Sequence, residues 1–222
     1  ADEGAHVVIT YSKSKDKAES LAAELAGEGH MVLQAAVDDS AAQTELAQEI
    51  KSRYGTLDIL VNNAGITRPV PHDDLDALDD DLIDSIFRVN VRGVLASVRA
   101  MKGLLMSDEG GLIVNISSIA ARTAVGSNVA YCASKAAIDN ITMSLARALA
   151  PKIRVVSVAP GWVLGEYARR MPQEYLDEQA DATPLKRIAE AEDVAEAVYA
   201  VAMHLAFTTG SIIPVDGGRP LT

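Results

Sequence analysis

The chain of 222 residues suits a single domain with a substantial core, and apolar residues make up 49% of it while aromatic residues make up only 4%. A formal charge of −11 with no offsetting basic stretch argues against a nucleic-acid-binding surface. The lone cysteine, Cys132, excludes an internal disulfide, and no apolar run is long enough to cross a membrane. These features predict a soluble, cytoplasmic protein.

Short apolar segments rich in β-branched residues alternate along the chain with longer amphipathic segments. The segments of strand type are 6–11, 31–37, 58–63, 112–117, 153–159 and 211–215. They are mostly unalternating, as strands buried on both faces are. Helical spacing of apolar residues occurs between them, in 15–29, 41–55, 82–105, 131–150 and 191–206. This order predicts one α/β domain over residues 1–222, a doubly wound parallel sheet with helices on both faces.

The segment HDDLDALDDDLID (72–84) carries a cluster of acidic side chains before a predicted helix. Carboxylates could ligate a metal ion, but the segment lacks the glycine turn and terminal glutamate of a calcium loop. Acidic residues before a helix also cap its first amides and complement its dipole. We therefore interpret the cluster as a solvated helix start and predict no metal site.

A tyrosine, a lysine and a serine occur at informative spacings. VAYCASKAAIDN (129–140) places Tyr131 and Lys135 four residues apart, so that both side chains lie on one face of a helix. NISSIA (115–120) ends a predicted strand, and Ser118 precedes Tyr131 by thirteen positions. A packed tyrosine beside a solvated lysine would explain the pair alone, so the interpretation depends on the rest of the chain.

Three further segments carry polar or small residues where a ligand is expected. VNNAG (61–65) closes one predicted strand, and RVNVRG (88–93) places Asn90 inside a helical segment. VAPGWV (158–163) follows the carboxyl end of another strand, where open α/β sheets bind ligands.

Together these motifs resemble those of the short-chain dehydrogenase/reductase family in its compact form, from EGAHVVI (3–9) to VDGG (215–218). Each element alone is weak, whereas the combination is specific. The resemblance implies a Rossmann-type fold and an NAD(P)-dependent enzyme that interconverts a ketone and a secondary alcohol, most like the 3-oxoacyl reductases. The alternative is a non-catalytic member that keeps the fold for binding or assembly.

The resemblance implies four catalytic residues. Tyr131 is the general acid that gives a proton to the carbonyl oxygen, and Ser118 donates to that oxygen, with Ser117 as the alternative serine. Lys135 and the positive nicotinamide of the oxidised cofactor are expected to lower the pKa of Tyr131 from its ordinary value of about 10. Lys135 also binds the nicotinamide ribose, and Asn90 kinks its helix and holds a water of the proton relay.

The resemblance also implies the cofactor contacts. Backbone and side chains that line the adenosine ribose and diphosphate are Asn63, Ala64 and Gly65. Residues that adjoin the nicotinamide carboxamide are Pro160, Gly161 and Val163, the last through its backbone.

The cofactor type is predicted from the turn after the first strand. YSKSK (11–15) has no acidic residue to bind a ribose diol, whereas Ser12, Lys13 and Lys15 could bind a 2′-phosphate. This favours NADP over NAD, and the alternative is a solvated basic turn.

The sequence departs from the family at two cofactor positions. Ala36 stands in place of the usual adenine-binding aspartate, although Val37 can still contact the base, and Gly165 replaces a threonine that steadies the nicotinamide amide.

The chain also begins differently from the family. Family members open with a strand and a glycine-rich turn that holds the pyrophosphate at a helix N-terminus, whereas ADEGAHVVI (1–9) matches the end of the following helix. That strand would be central in the order 3-2-1-4-5-6. We therefore expect about 15–35 further N-terminal residues in the expressed protein, including the glycine-rich turn.

The substrate and the assembly are predicted in outline only. Asp108 and Glu109 precede the strand at 112–117, where reductases that use acyl carrier protein tend to be basic, so a small ketone, a sugar or a coenzyme A thioester stays an alternative substrate. The helix with Tyr131 carries apolar residues at Met143 and 146–150 beyond its sheet-facing stripe, which predicts a homotetramer or homodimer.

Overall fold

The computed structural model describes residues 1–106, 110–165 and 168–221, so Asp108 and Glu109 lie outside the described residues. The strands are β1 (Val8–Tyr11), β2 (Met31–Gln34), β3 (Ile59–Asn62), β4 (Gly111–Ile116), β5 (Ile153–Pro160) and β6 (Ile212–Val215). The helices are α1 (Lys15–Glu24), α2 (Ser40–Tyr54), α3 (Asp80–Phe87), α4 (Gly93–Leu105), α5 (Ala120–Thr123), α6 (Val129–Leu149), α7 (Gln173–Asp181) and α8 (Ala191–Met203).

All paired strands are parallel, and they form two hydrogen-bonded sheets. β1 pairs with β2, and the second sheet has the order β3-β4-β5-β6. The predicted parallel α/β architecture is confirmed, and each predicted strand ends within three residues of the observed one. In the part of the chain that the structure describes, β1 and β3 each have a strand neighbour on one side only. The expectation of a further N-terminal strand stays a prediction.

Consecutive residues of β4 and β5 enter cores on opposite faces, which explains their unalternating apolar sequences. Ile113 and Val155 pack in one core with residues of α2, α4 and α6, and Met31 of β2 joins the same core. Leu112 and Val156 pack in the other core, against α8. The two sheets therefore share a core, and helices cover both faces as predicted.

The segment predicted as one helix over 82–105 is interrupted by a π-helical turn, Arg88–Arg92, which joins α3 to α4. Asn90 lies in this turn and is 1% exposed. The helical segment is thus interrupted at Asn90, the position where the resemblance implies a kink. Immediately after it, a Cβ on Gly93 would lie 2.9 Å from a methyl carbon of Val37, so glycine permits the close approach of α4 to the segment after β2.

Acidic residues before α3 cap the helix, as predicted. The Asp79 carboxylate accepts a hydrogen bond from the Leu82 amide at 2.8 Å and pairs with Arg68 at 2.8 Å. The Asp74 carboxylate likewise accepts from the Ala77 amide at 3.1 Å. These carboxylates are engaged in local backbone and ion-pair contacts.

The N-terminus of α6 is fixed by a buried side chain. Asn128 accepts a hydrogen bond from the Tyr131 amide at 2.7 Å and donates to the Arg68 carbonyl at 2.8 Å. Further along α6, Met143 is exposed as predicted, but Ala146 is 4% exposed and belongs to the core. The expectation that Ala146 contributes to a surplus outer surface is therefore wrong.

Among the described residues, no helix has the length and apolar character that a membrane crossing requires.

Two glycines near α4 provide a matched test of backbone packing. A Cβ on Gly111 would overlap the Leu105 carbonyl oxygen, whereas a Cβ on exposed Gly103 would meet nothing within 4 Å. We expect Gly111→Ala to lower the free energy of unfolding by about 1–3 kcal/mol, because β4 must move away from α4. Gly103→Ala should raise it by up to about 1 kcal/mol through helix propensity. Urea denaturation measures both, and equal effects would contradict this packing.

Candidate active site

Most of the predicted functional residues follow the carboxyl ends of parallel strands. Ser118 follows β4, Asn63–Gly65 follow β3, and Pro160–Val163 span the end of β5. Because parallel strands present their carboxyl ends at one edge of a sheet, these segments line that edge together. Tyr131 and Lys135 approach the edge from the first two turns of α6.

Tyr131 is half-buried, and the Ser118 side chain acts on the pKa of its phenol through hydrogen bonding. Burial raises the pKa of Tyr131 above its ordinary value, while the Ser118 hydrogen bond opposes this. The expected lowering of this pKa is therefore wrong for the protein by itself, because the phenolate loses more hydration than the hydrogen bond restores. Ser118, rather than Ser117, is the serine at the phenol, as the spacing predicts.

Lys135 is a buried cation beside this phenol. Its side chain is one turn after Tyr131, its Nζ is 5.7 Å from the centre of the tyrosine ring, and the residue is 6% exposed. The ammonium donates to the Ile116 carbonyl at 2.8 Å. Burial lowers the pKa of Lys135 to about 8, and Asp139 acts in the opposite direction. An ammonium has three N–H donors, so Lys135 can also donate to a ligand bound at the sheet edge.

Asn90 connects the loop after β3 to α6. Its side-chain oxygen accepts from the Ile66 amide at 2.8 Å, and its amide nitrogen donates to the Ile66 carbonyl at 3.0 Å and to the Ser134 hydroxyl at 3.1 Å. Ser134 in turn donates to the Tyr131 carbonyl at 2.7 Å. The loop and α6 are thereby held at a fixed separation. The proposed water on Asn90 stays a prediction.

Gly65 brings the loop after β3 next to this cluster. A Cβ at this position would lie 3.5 Å from the Asn90 side-chain oxygen and 3.7 Å from the Lys135 Nζ. Asn63 and Ala64, just before it, are exposed. The backbone of this loop is therefore open to a ligand that also reaches Lys135.

The end of β5 adjoins the serine segment. The Pro160 carbonyl accepts from the Ile119 amide at 2.9 Å, and the Gly161 amide donates to the Val215 carbonyl at 3.0 Å. Val163 forms a parallel bridge with Ala189. This holds the segment after β5 against the chain that leads to α8.

The predicted contacts of the adenosine end lie elsewhere in the fold. The Ser12 carbonyl accepts from the Gln34 side chain at 3.0 Å, Lys13 is exposed, and Lys15 pairs with Glu19 at 3.4 Å. Val37 follows β2 and approaches Gly93. In the described hydrogen bonds, these residues take no part in the cluster around Tyr131.

Several residues of the site were missed by the sequence reasoning. The Ile116 carbonyl gives no side-chain signal, so its contact with Lys135 is visible only in three dimensions. Asn62 and Asn115 were detectable, since each is an amide in an otherwise apolar strand, and their side chains hydrogen-bond at 2.9 Å. Asp139 was also detectable, as a carboxylate four residues after Lys135 on the same helix.

Comparison with known proteins gives matches along almost the whole chain. The family model described as enoyl-(acyl carrier protein) reductase matches residues 1–219. The 3-oxoacyl-[acyl-carrier-protein] reductase FabG of Staphylococcus epidermidis is 32% identical, over 98% of this chain and 90% of that protein.

Solved structures agree with this similarity. A short-chain dehydrogenase/reductase of the glucose/ribitol dehydrogenase type from Brucella melitensis has a TM-score of 0.90 at 27% identity, covering 98% of this chain and 87% of that one. A gluconate 5-dehydrogenase from Burkholderia cenocepacia, in complex with NADP and tartrate, has a TM-score of 0.87 at 30% identity, covering 100% and 88%. The chain belongs to the short-chain dehydrogenase/reductase family of NAD(P)-dependent oxidoreductases.

Proposed function

We propose that this chain is a cytoplasmic, NADPH-dependent reductase that interconverts a ketone and a secondary alcohol, with 3-oxoacyl thioesters as the favoured substrate class. The observation that carries the proposal is the cluster of Ser118, Tyr131, Lys135 and Asn90 at one sheet edge. A relative named as a 3-oxoacyl-[acyl-carrier-protein] reductase supports the substrate class. A binding or assembly protein of this fold would need none of the four.

Tyr131 is the proton donor to the substrate oxygen. Because burial raises its pKa, the phenol keeps its proton at neutral pH, which a general acid in the reductive direction requires. Ser118 donates to the same substrate oxygen and orients it toward the phenol. The alkoxide that forms during reduction is thus protonated as its charge develops.

The residues at the sheet edge fit a nicotinamide dinucleotide. Gly65 leaves space beside the Lys135 ammonium that a Cβ would narrow, and the exposed loop at Asn63 and Ala64 offers backbone groups to the adenosine ribose and the diphosphate. When bound, NADPH supplies the hydride for reduction. Lys135 holds the nicotinamide ribose and, with Asn90 and a water, returns a proton to Tyr131. Pro160, Gly161 and Val163 adjoin the carboxamide, and Val37 adjoins the adenine.

A phosphate contact at the turn after β1 accounts for the choice of NADPH. Ser12 and the exposed Lys13 bind the 2′-phosphate, and no carboxylate in this turn competes for the diol. The gluconate 5-dehydrogenase relative, solved with NADP, supports this assignment.

The active assembly is a homotetramer or homodimer, with exposed Met143 on an outer face of α6 available for a subunit contact.

Tyr131→Phe tests the proton donor. We expect turnover to fall by more than about 10²-fold, because a general acid contributes at least that much. NADPH affinity, measured by fluorescence titration, should stay near that of the parent protein. Retention of more than about a tenth of the parent activity would show that another group gives the proton.

Lys135→Met tests the double role of the lysine. Turnover and NADPH affinity should both fall, because the side chain supports the phenol and also holds the ribose. Lowered turnover with unchanged NADPH affinity would show that Lys135 does not hold the ribose.

Lys13→Ala tests the cofactor preference. The parent protein should prefer NADPH over NADH in kcat/KM, and the variant should lose about ten- to a hundredfold of that preference, as expected for one charge-assisted contact to phosphate. Lys102→Ala, an exposed lysine on α4, is the control and should leave the ratio unchanged. Equal use of both cofactors by the parent protein would contradict the assignment.

The pH dependence of reduction follows from the Lys135 pKa of about 8. Below that pH the lysine carries its ammonium, and above it the neutral amine no longer supports the phenol or the ribose. We therefore expect kcat/KM to fall as pH rises through about 8. Tyr131 does not contribute to this fall, because burial raises its pKa and keeps the phenol protonated over the same range. A rate that stays constant between about pH 7 and 10 would contradict this role for Lys135.

A further inference from the structure

Asp139 is a buried carboxylate that the reaction described above leaves unused. It lies in the interior of α6, four residues after Lys135, and is 9% exposed. Its Oδ1 has no hydrogen-bond partner among the described residues. A buried carboxylate oxygen without a partner is unfavourable, so its presence calls for a compensating role.

The groups around Asp139 come from three elements. Ser117, just after β4, donates from its hydroxyl to the Lys135 carbonyl oxygen at 3.4 Å, and the same side chain acts on the pKa of the Asp139 carboxyl. Lys135 on α6 and Arg122 on α5 act on it as cations. Asp139 thus lies where the strand end that leads to Ser118 meets the helix that carries Lys135.

We propose that Asp139, a buried carboxylate one helical turn after Lys135, is a positioning residue for reduction that keeps Lys135 in its ammonium form at the working pH. This inference rests on the proposed function of Lys135. The attraction acts through a poorly hydrated interior, where screening between charges is weak.

The electrostatic effects agree with this geometry. Burial lowers the pKa of Lys135, and Asp139 is the group that raises it again. Burial raises the pKa of Asp139, while Ser117, Arg122 and Lys135 lower it. The carboxylate and the ammonium therefore stabilise each other's charged forms inside the protein.

Asp139→Asn removes the charge and keeps the shape of the side chain. We expect the alkaline fall of kcat/KM to move about one pH unit lower, so that activity near pH 8 drops roughly fivefold while activity near pH 6 stays close to that of the parent protein. Asp139→Glu keeps the charge and should restore most of the parent profile. Where the Asn variant fails to fold, Asp139→Ser makes the same charge change with a smaller side chain.

A second readout does not depend on activity. In protein labelled with ¹³C-lysine, the Lys135 Cε signal is assigned by its loss in Lys135→Met, and its titration midpoint should fall in Asp139→Asn. Asp84→Asn, an exposed carboxylate on α3, removes the same formal charge and should leave the midpoint unchanged.

The two readouts separate the inference from the function on which it rests. A lowered midpoint in a protein without ketone reductase activity supports the effect of Asp139 on Lys135 and contradicts the proposed function. An unchanged midpoint in a folded Asp139→Asn overturns the inference, as does a loss of activity that is equal at every pH.

Discussion

The burial of the Lys135 ammonium is the constraint on which the rest of the site depends. A cation that is 6% exposed must be compensated by polar groups, and the Ile116 carbonyl at 2.8 Å supplies the closest described contact. That carbonyl is available because the pairing of β3 with β4 ends at Asn62 and Asn115, one residue before Ile116, so no β3 amide occupies it. The same strand end continues into Ser118, so one backbone feature places both the cation and the serine beside Tyr131.

A buried polar network fixes α6 against the sheet beneath this cation. The Asn62 side chain donates to that of Asn115 at 2.9 Å, Asn115 donates to the Thr142 hydroxyl at 2.8 Å, and Thr142 is 2.8 Å from the Ser157 hydroxyl. These hydrogen bonds join β3, β4 and β5 to the helix that carries Tyr131 and Lys135. Sliding of α6 would leave several buried groups unpaired at once, so the network specifies one register. The position of Tyr131 is therefore fixed by hydrogen bonds that its own helix makes to the sheet, away from the residue itself.

The sequence predicts most of the architecture because strands buried on both faces carry unalternating apolar runs, as Leu112 to Val114 do. The interruption at Asn90 is implied by the family resemblance and not by helical spacing, and Ile66 and Ser134 supply the partners that its buried amide needs. It does not predict the direction of the Tyr131 pKa shift, since spacing alone carries no information on burial.

Contacts made by the backbone or across the fold are also hidden from sequence reasoning. The Ile116 carbonyl has no residue-type signature, and the burial of Ala146 depends on which face of α6 meets the sheet. The contacts that we assign to Ser12 and Lys13 are contacts to the 2′-phosphate of NADPH, so they rest on the sequence and the family resemblance alone. Asp139, by contrast, can be found from the sequence, as a carboxylate four residues after Lys135. Its burial with an unpartnered oxygen, which suggests a role, is visible only in the structure.

Direct transfer of hydrogen from the nicotinamide to a carbonyl carbon is the reaction that defines this site. The full chain, supplied with a 3-oxoacyl thioester and with NADPH deuterated at the nicotinamide C4 in each configuration separately, should place deuterium on the carbinol carbon of the product for one configuration. Mass spectrometry and NMR of the product detect the label. A labelled alcohol is the predicted result, and a folded protein that forms no labelled alcohol from either form of NADPH would contradict it.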